Sequence, residues 1–218
     1  MGDTSDNLTG VLDYKWAGNS VSGATWRVRS TEDGENSFDK VNARPAAPEP
    51  IDGSLKVASF NVLNYFTTID TIGATTANGS DPRGADNAAE LARQTEKLVT
   101  AITTMDADII GLIEMENDFL PGSSGNAIEN LVGELNTVTA PGTWAMVDPG
   151  VQHVGDDAIA NGFIYRADTV TLATGTTVEI LDDSDLPGLG ITPAGNGIFG
   201  TNGISGGVNR PVVTATFE

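Results

Sequence analysis

Two predicted strands of this chain are each followed by a residue whose side chain can bind a metal ion. Asn61 follows the apolar segment 55–60 (LKVASF), and Glu114 follows the apolar segment 109–113 (IIGLI). If the two strands are neighbours, Asn61 and Glu114 meet at one edge of the sheet. A carboxylate beside an amide oxygen is a hard, oxygen-only pair of the kind that Mg²⁺ or Mn²⁺ prefers. The alternative interpretation is that both side chains simply end their strands in solvent.

Two amphipathic helices are predicted on either side of the second strand. Asn87 and Glu90 have the spacing of a capping box, and apolar residues at helical spacing follow them. Asn126 and Glu129 form a second such pair at the start of a helix over 128–135. Further strands are predicted at 145–147, 162–165, 169–172 and 212–217. This order of strands and helices predicts a layered α/β (α+β) fold.

A proline-rich segment divides the chain into two unequal parts. Residues 43–53 contain three prolines within six positions, which favour an extended linker. The preceding residues 1–42 form a β-rich leader with two strand-like runs, 8–14 and 24–29, which cannot form a stable core alone. Residues 54–218 contain both helical signals, so we predict the main domain there.

Composition and charge exclude several classes of function. The chain of 218 residues has 11 basic and 30 acidic residues, a net charge of −19, which excludes nucleic-acid binding through a broad basic surface. Cysteine is absent, which excludes disulfides, thiolate zinc sites and cysteine catalysis. No apolar run approaches the roughly 18 residues of a membrane-spanning helix, so we predict no membrane span.

The remaining polar segments carry weaker signals. The only histidine, His153, lies in a stretch rich in glycine and aspartate and is predicted to be a loop residue rather than a catalytic base. Residues 181–207 are predicted to form a long loop that is functional or mobile. Within it, the acidic run 182–185 lacks the glycine and the final glutamate of an EF-hand, so it is predicted to be a solvated loop with Ca²⁺ as a minor alternative.

Five short motifs occur in the order that is typical of one enzyme superfamily. They are 55–66 (LKVASFNVLNYF), RGA at 83–85 leading into ELARQ at 90–94, 108–117 (DIIGLIEMEN), 157–166 (DAIANGFIYR) and 207–211 (GVNRP). Residues 54–218 thereby resemble the N-terminal part of a domain of the endonuclease/exonuclease/phosphatase superfamily, in its bacterial extracellular nuclease branch. The resemblance implies half of a deoxyribonuclease I-like fold, a two-sheet sandwich flanked by helices. Residues 1–42 resemble, less specifically, the tail of the β-barrel domain that often precedes it.

The resemblance also implies roles for five residues. Glu114 would be a direct metal ligand, and Asn61 would orient the metal shell or the scissile phosphate. Arg210 would contact substrate phosphate, for which a guanidinium is suited because it binds two oxygens at once. Asn64 is assigned to substrate binding and Asp157 to the catalytic cleft. The alternatives are a surface salt bridge for Arg210 and a turn residue for Asp157.

The chain also departs from the family pattern. The family's later motifs are an Asn-x-His after the Arg-Pro strand, a Gly-Asp-x-Asn strand end and a terminal Asp-His pair, and the sequence contains none of them. We therefore expect a chain truncated before its catalytic histidine and aspartate motifs. Residues 1–218 alone are then expected to be inactive, and the C-terminal half of the domain to be needed for a complete site.

The resulting functional prediction is a Mg²⁺-dependent phosphodiester hydrolase, with Mn²⁺ or Ca²⁺ as alternative cofactors. The substrate would be nucleic acid or another phosphodiester, and the protein a secreted or periplasmic bacterial nuclease, although the sequence shows no signal peptide. Two alternatives stay open. One is a phosphomonoesterase or lipid-headgroup phosphodiesterase of the same superfamily, and the other is a non-catalytic interaction fragment.

Overall fold

The computed structural model describes residues 2–16, 23–31, 36–41, 45, 49–190, 199 and 209–218. These residues fall into two compact units, Met1–Glu49 and Pro50–Glu218, and the boundary lies within the proline-rich segment 43–53. In the first unit, strands β1 (Val11–Trp16) and β2 (Ala24–Arg29) form an antiparallel pair. Arg27 forms an ion pair with Asp13 across this pair at 3.0 Å.

The second unit is a mixed α/β domain built on a four-stranded sheet. Its elements are β3 (Val57–Tyr65), α1 (Ala88–Met105), β4 (Ile109–Glu116), α2 (Ala127–Val138), β5 (Trp144–Met146), β6 (Ile159–Arg166), β7 (Glu179–Leu181), a 3-10 helix (Leu186–Leu189) and β8 (Val212–Thr214). The sheet has the strand order β3-β4-β6-β5, and β7 and β8 form a separate antiparallel pair. The predicted mixed α/β (α+β) class is confirmed. No helix in the described part of the chain is long and apolar enough to cross a membrane.

The first two strands of the sheet are parallel neighbours, joined through helix α1. Asn61 lies opposite Ile113, so the carboxyl ends of β3 and β4 reach the same edge of the sheet. Strand β6 pairs with the other side of β4 in the antiparallel direction. Strand β4 is therefore flanked by a strand on each side, and its residues Ile109, Ile110 and Leu112 are buried.

Asparagine caps begin both helices, as the sequence predicts. The side chain of Asn87 accepts a hydrogen bond from the backbone N–H of Glu90, and Asn126 accepts one from Glu129. Each cap satisfies a donor that the first turn of a helix leaves without a partner. The first capping box is altered, because the Glu90 carboxylate accepts from the N–H of Asp86 instead of Asn87.

The core of the domain lies between the helices and one face of the sheet. Ile110, Leu112 and Ile164 of the sheet are fully buried, and so are Ile102 of α1 and Leu135 of α2. All of these side chains belong to one continuous apolar cluster. Burial of aliphatic side chains at about 25 cal/mol per Å² is thus the main contribution that holds the sheet and helices together.

One predicted strand is wrong over its first half, and one predicted loop contains unexpected structure. At 169–172 the backbone N–H groups of Thr169 and Val170 donate to the carbonyl of Arg166, which closes a turn instead of a ladder. Leu172 forms a bridge with Phe217, and Thr171 exchanges two backbone hydrogen bonds with Glu218. The predicted loop 181–207 begins with the end of β7 and the 3-10 helix, and residues 191–198 and 200–207 lie outside the described part of the chain.

We expect Leu135→Ala to lower the free energy of unfolding by about 2–5 kcal/mol, because it leaves a cavity under helix α2. Leu135 is fully buried, whereas Val138 in the same helix is 59% exposed. Val138→Ala is therefore the matched control and should change stability by no more than about 0.5 kcal/mol. Urea unfolding followed by circular dichroism measures both. Equal losses in the two variants would contradict this assignment of the core.

Candidate metal and phosphate site

The end of strand β4 is irregular against both of its neighbours. Between the pairs Asn61–Ile113 and Tyr65–Met115, β3 advances four residues while β4 advances two. The pairing of β4 with β6 also shifts after Leu112. Bulges of this kind redirect side chains out of the pleat and often lie beside active sites. Here they lie at Glu114 and at the residues that face it.

The backbone at these bulges has a strained conformation. Leu63, Asn64 and Glu114 have φ values of 58°, 50° and 69°, in the left-handed region that disfavours residues with a Cβ. Such a conformation costs on the order of 1–3 kcal/mol per residue and persists only where surrounding contacts enforce it. Three strained residues at two adjacent strand ends identify this edge of the sheet as the candidate site.

Hydrogen bonds from three side chains hold the strained segment in place. Oε2 of Glu114 accepts a hydrogen bond from the N–H of Asn64 at 3.1 Å. Oδ1 of Asn61 accepts one from the N–H of Leu63 at 2.8 Å. Nε2 of Gln94 in α1 donates to the carbonyls of Val62 and Leu63 at 3.1 and 2.9 Å. Gln94 belongs to the motif at 90–94, and nothing in the local sequence indicates that it binds the β3 bulge.

The oxygens at this edge fit a divalent cation of the Mg²⁺ type. Oε1 of Glu114 accepts no hydrogen bond from the described residues, and the amide oxygen of Asn61 retains a second lone pair beside its bond to Leu63. The described residues contain no cluster of three or more acidic or histidine ligands. Mg²⁺ does not need one, because it is usually bound through one or two carboxylates together with substrate phosphates and water.

A groove beside these residues has a basic lining, in contrast to the acidic chain. It has a volume of about 530 Å³ and is lined by Asn61 and Asn64 together with Gln94. Its charged lining residues are Arg83, Arg93, Lys97 and Glu90. Arg93 forms an ion pair with Glu90 and Arg83 forms one with Asp157, so Lys97 is the lining cation without an ion pair among the described residues. The groove is therefore less acidic than the chain as a whole.

Asp157 connects this groove to a second one. Its Oδ1 forms an ion pair with Arg83 of the basic groove, and its Oδ2 pairs with Arg210 at 2.8 Å. Arg210 lines the second groove, of about 670 Å³, together with Asp156 and Asn161. The predicted site residues therefore form two groups. Asn61, Asn64 and Glu114 lie at the strand ends, Asp157 and Arg210 form the other group, and Arg83 links the two.

The charge of Asp157 is stabilised by its two partners. Burial by itself would raise the pKa of Asp157, but hydrogen bonds and positive charge from Arg83 and Arg210 outweigh burial and hold this pKa below its ordinary value. A carboxylate with a lowered pKa is a weak base. Its position between two arginines suits the orientation of their guanidinium groups better than proton transfer.

A buried asparagine positions the loop that carries Asp157, and sequence reasoning missed it. Asn117 is 1% exposed, and its Nδ2 donates to the carbonyls of Val154 and Asp157 at 3.1 and 2.9 Å. Its Oδ1 accepts from the N–H of Val154 at 2.8 Å. His153 in the same loop directs Nδ1 to the carbonyl of Asn117 at 2.9 Å, which is a structural contact. An asparagine directly after a buried strand is the only signal that the sequence offers for this role.

Comparisons with known proteins do not identify the chain. No protein-family model matches it, and no curated protein matches it.

We expect Asp157→Asn to lower the free energy of unfolding near neutral pH and to have little effect in acid. The pKa of Asp157 is lowered in the folded state. The stabilisation is therefore complete above the unfolded value of about 3.9 and is lost as the pH falls through the folded value. Urea unfolding at a series of pH values measures this. Asp156→Asn, at the exposed neighbouring aspartate, is the control, and a wild-type advantage over Asp157→Asn that is the same at every pH would refute the expectation.

Proposed function

We propose that this protein is a metal-dependent phosphodiester hydrolase of the endonuclease/exonuclease/phosphatase superfamily, and specifically an extracellular nuclease. In this proposal residues 54–218 form the N-terminal part of a deoxyribonuclease I-like domain. The observation that carries it is the pair of strained strand ends, where Glu114 and Asn61 lie beside a basic groove. Oxygen ligands for a cation next to arginines for phosphate are an arrangement that metal-dependent phosphodiester hydrolysis uses.

Glu114 and Asn61 are the residues that would hold Mg²⁺. When bound, the metal supplies neutralisation of phosphate charge and stabilises the leaving oxygen. The contribution of the chain itself is to fix the two oxygen ligands before substrate arrives. The bond from the N–H of Asn64 to Glu114 and the bonds from Gln94 to the β3 bulge provide that rigidity.

Arg210 and Arg83 are assigned to phosphate binding, and Asp157 positions both. The side chains of Arg83 and Arg210 are 47% and 34% exposed, so each can reach a ligand while it keeps its bond to Asp157. A guanidinium whose direction is fixed by a carboxylate loses less conformational entropy when it binds phosphate. In the family pattern, the groups that handle the proton come from motifs downstream of Arg210.

The basic groove favours a polymeric phosphodiester over a small phosphate ester. Arg93 and Lys97 lie one helical turn apart in α1, and both line the groove that contains Asn61 and Asn64. A polyanion gains from each cation along its path, whereas a monoester occupies a single phosphate position. A groove that is less acidic than the chain as a whole also offsets part of the repulsion that a net charge of −19 exerts on nucleic acid.

The alternative functions are distinguished by substrate and by metal binding. A phosphomonoesterase or lipid-headgroup phosphodiesterase would use the strand-end site but would not depend on Arg93 and Lys97. A non-catalytic fragment would bind neither Mn²⁺ at Glu114 nor oligonucleotide in the groove. No observation in the structure favours either of these over a nuclease.

We expect Glu114→Gln to abolish Mn²⁺ binding at the strand-end site and metal-dependent hydrolysis by the full-length protein. The amide retains an acceptor for the N–H of Asn64, so the fold should be preserved while the charge that attracts the metal is lost. Electron paramagnetic resonance of Mn²⁺ measures binding to residues 1–218 without any requirement for turnover. Glu96→Gln, on the exposed side of α1, is the control. Unchanged Mn²⁺ affinity in Glu114→Gln would exclude Glu114 as a ligand.

We expect Arg210→Ala to raise KM for a phosphodiester by about 10- to 150-fold, the equivalent of losing one charge-assisted contact of about 1.5–3 kcal/mol. Steady-state kinetics of the full-length protein measures KM for the phosphodiester. Arg166→Ala is the control, because Arg166 is similarly exposed and also pairs with aspartate, namely Asp106 and Asp168. If Arg210→Ala lowers the melting temperature as much as Arg166→Ala and leaves KM unchanged, Arg210 is structural.

We expect the double variant Arg93→Ala/Lys97→Ala to weaken oligonucleotide binding and to spare small phosphodiesters. Each lost phosphate contact should reduce the slope of log affinity against log salt by about 0.7–0.9. Fluorescence anisotropy at several salt concentrations measures the slope, and a nitrophenyl phosphodiester serves as the small substrate. An unchanged slope would show that nucleic acid does not follow this groove.

A further inference from the structure

The β1–β2 pair of the first unit has one uncharged, largely apolar face that is exposed. Residues that pair directly across two antiparallel strands share a face of the sheet. The Tyr14 and Trp26 rings are such a pair, and their centroids lie 4.9 Å apart. The large side chains of this face are all between 45% and 64% exposed. We call this face the apolar ribbon face, and its paired residues are Leu12–Val28, Tyr14–Trp26 and Trp16–Ala24.

The first unit has no core beneath this face. No described residue of Met1–Glu49 is buried. A two-stranded antiparallel pair is at best marginally stable in water unless another surface packs on it. Exposed apolar side chains that form a continuous patch also mark interaction sites, whereas single ones do not. The apolar ribbon face therefore has the properties of a surface that a partner covers.

The charged side chains of the ribbon lie on its opposite face. Lys15, Arg27 and Arg29 alternate along the strands with the apolar residues, and Asp13 pairs with both arginines at 3.0 and 3.4 Å. A platform for single-stranded nucleic acid combines aromatic rings with cations that follow the phosphate backbone. The apolar ribbon face has the rings without the cations, which favours a protein surface as its partner.

The apolar ribbon face is complementary in shape to a second copy of itself. If two ribbons stack face to face about a two-fold axis parallel to the strands, β1 of one copy lies over β2 of the other. Paired residues then exchange places, so that Trp16 of each chain lies over Ala24 of the second copy. The largest side chain of the face thereby meets the smallest one, and Tyr14 meets Trp26. A two-fold contact of this kind is closed, because both copies use the same surface.

The exposed area is sufficient for a weak dimer. A fully buried aromatic side chain covers about 150–250 Å², so the three half-exposed rings together with Leu12 and Val28 offer roughly 500 Å² per chain. Two copies would then bury roughly 1,000 Å² in total, which is the lower limit for a specific interface. The area therefore predicts association in the micromolar range.

We propose that the apolar ribbon face is a homodimer interface, at which two copies of the chain stack their β1–β2 pairs about a two-fold axis. The dimer supplies the apolar contacts that the first unit lacks, so ordering of the ribbon and association are coupled. This inference does not depend on the proposed hydrolase function, because the strand-end residues Asn61 and Glu114 belong to the other unit.

The first test is sedimentation velocity of residues 1–218 over a range of concentrations. We expect a monomer–dimer equilibrium with a Kd on the order of 1–100 μM. Added salt should strengthen the dimer, because it screens the repulsion between two chains of net charge −19 and leaves apolar contacts in place. A chain that stays monomeric throughout this range would overturn the proposal.

Tryptophan fluorescence of the wild-type chain locates the interface without any variant. Trp16 and Trp26 lie on the apolar ribbon face, whereas Trp144, the third tryptophan, is 4% exposed and gives a constant background. Emission should shift to shorter wavelength with the same concentration midpoint as sedimentation. Dimer formation without this shift would place the interface elsewhere. A shift caused by a single-stranded oligonucleotide in a chain that stays monomeric would assign the face to nucleic acid and overturn the proposal.

Two lysine substitutions distinguish the two faces of the ribbon. Trp26→Lys removes a central ring and places a charge in the interface, so it should raise the dimer Kd by at least about 30-fold. Thr25→Lys is the matched control, because it adds the same charge at the exposed neighbouring position on the opposite face. Equal effects of the two substitutions on Kd would contradict the assignment of the interface.

An exchange of large and small side chains tests the two-fold arrangement and keeps Trp26 in place. Ala24→Trp sets tryptophan against tryptophan in the dimer and should weaken it. The double variant Trp16→Ala/Ala24→Trp restores a large side chain over a small one, and its Kd should return to within about threefold of the wild-type value. Sedimentation velocity measures both. A double variant that dimerises no better than Ala24→Trp would overturn the proposed stacking of β1 over β2.

Discussion

The hydrogen bond between the Glu114 carboxylate and the backbone of Asn64 joins two strand ends that would otherwise relax. Strand β3 advances four residues over the interval in which β4 advances two, and three residues accept a left-handed conformation as a result. A regular ladder here would direct the side chains of Asn61 and Glu114 up and down from the sheet in the ordinary alternation. The bulge instead places polar side chains at the edge, and Gln94 from α1 holds it there.

A second set of constraints lies in the buried polar residues directly after this bulge. Glu116, Asn117 and Asp118 are all less than 3% exposed, and each binds a different loop. Glu116 accepts hydrogen bonds from the segment after β3, and Asp118 accepts one from the turn before α2. Asn117 donates a hydrogen bond to the loop that carries Asp157. The hydrogen bonds that these buried residues do make specify one loop arrangement, because any other arrangement would leave more of their polar atoms unpaired. The geometry of both grooves therefore depends on the end of a single central strand.

Local charge differs from net charge in this protein. The chain is strongly acidic, yet Arg83, Arg93 and Lys97 line one groove and Arg210 lines the next. Asp157 binds one arginine from each groove and so sets their spacing. A cleft with concentrated positive charge can attract a polyanion that the rest of the surface repels. The net charge of the chain alone therefore does not determine which substrate the grooves can bind.

Local sequence signals account for the main helices and strands, whereas long-range contacts create the candidate site. The sequence predicts β3, α1, β4 and α2 because the signals for these elements are local. They are the helical spacing of apolar residues, the asparagine caps and the continuous apolar sequence of β4. They also predict that Asn61 and Glu114 share an edge once the strands are neighbours. The bulge, the roles of Gln94 and Asn117 and the bridging position of Asp157 were not predictable, because each depends on partners 30 or more residues away. The predicted strand at 169–172 forms only in its second half, where Thr171 and Leu172 pair with 217–218, because Thr169 and Val170 instead donate to the carbonyl of Arg166 in a turn.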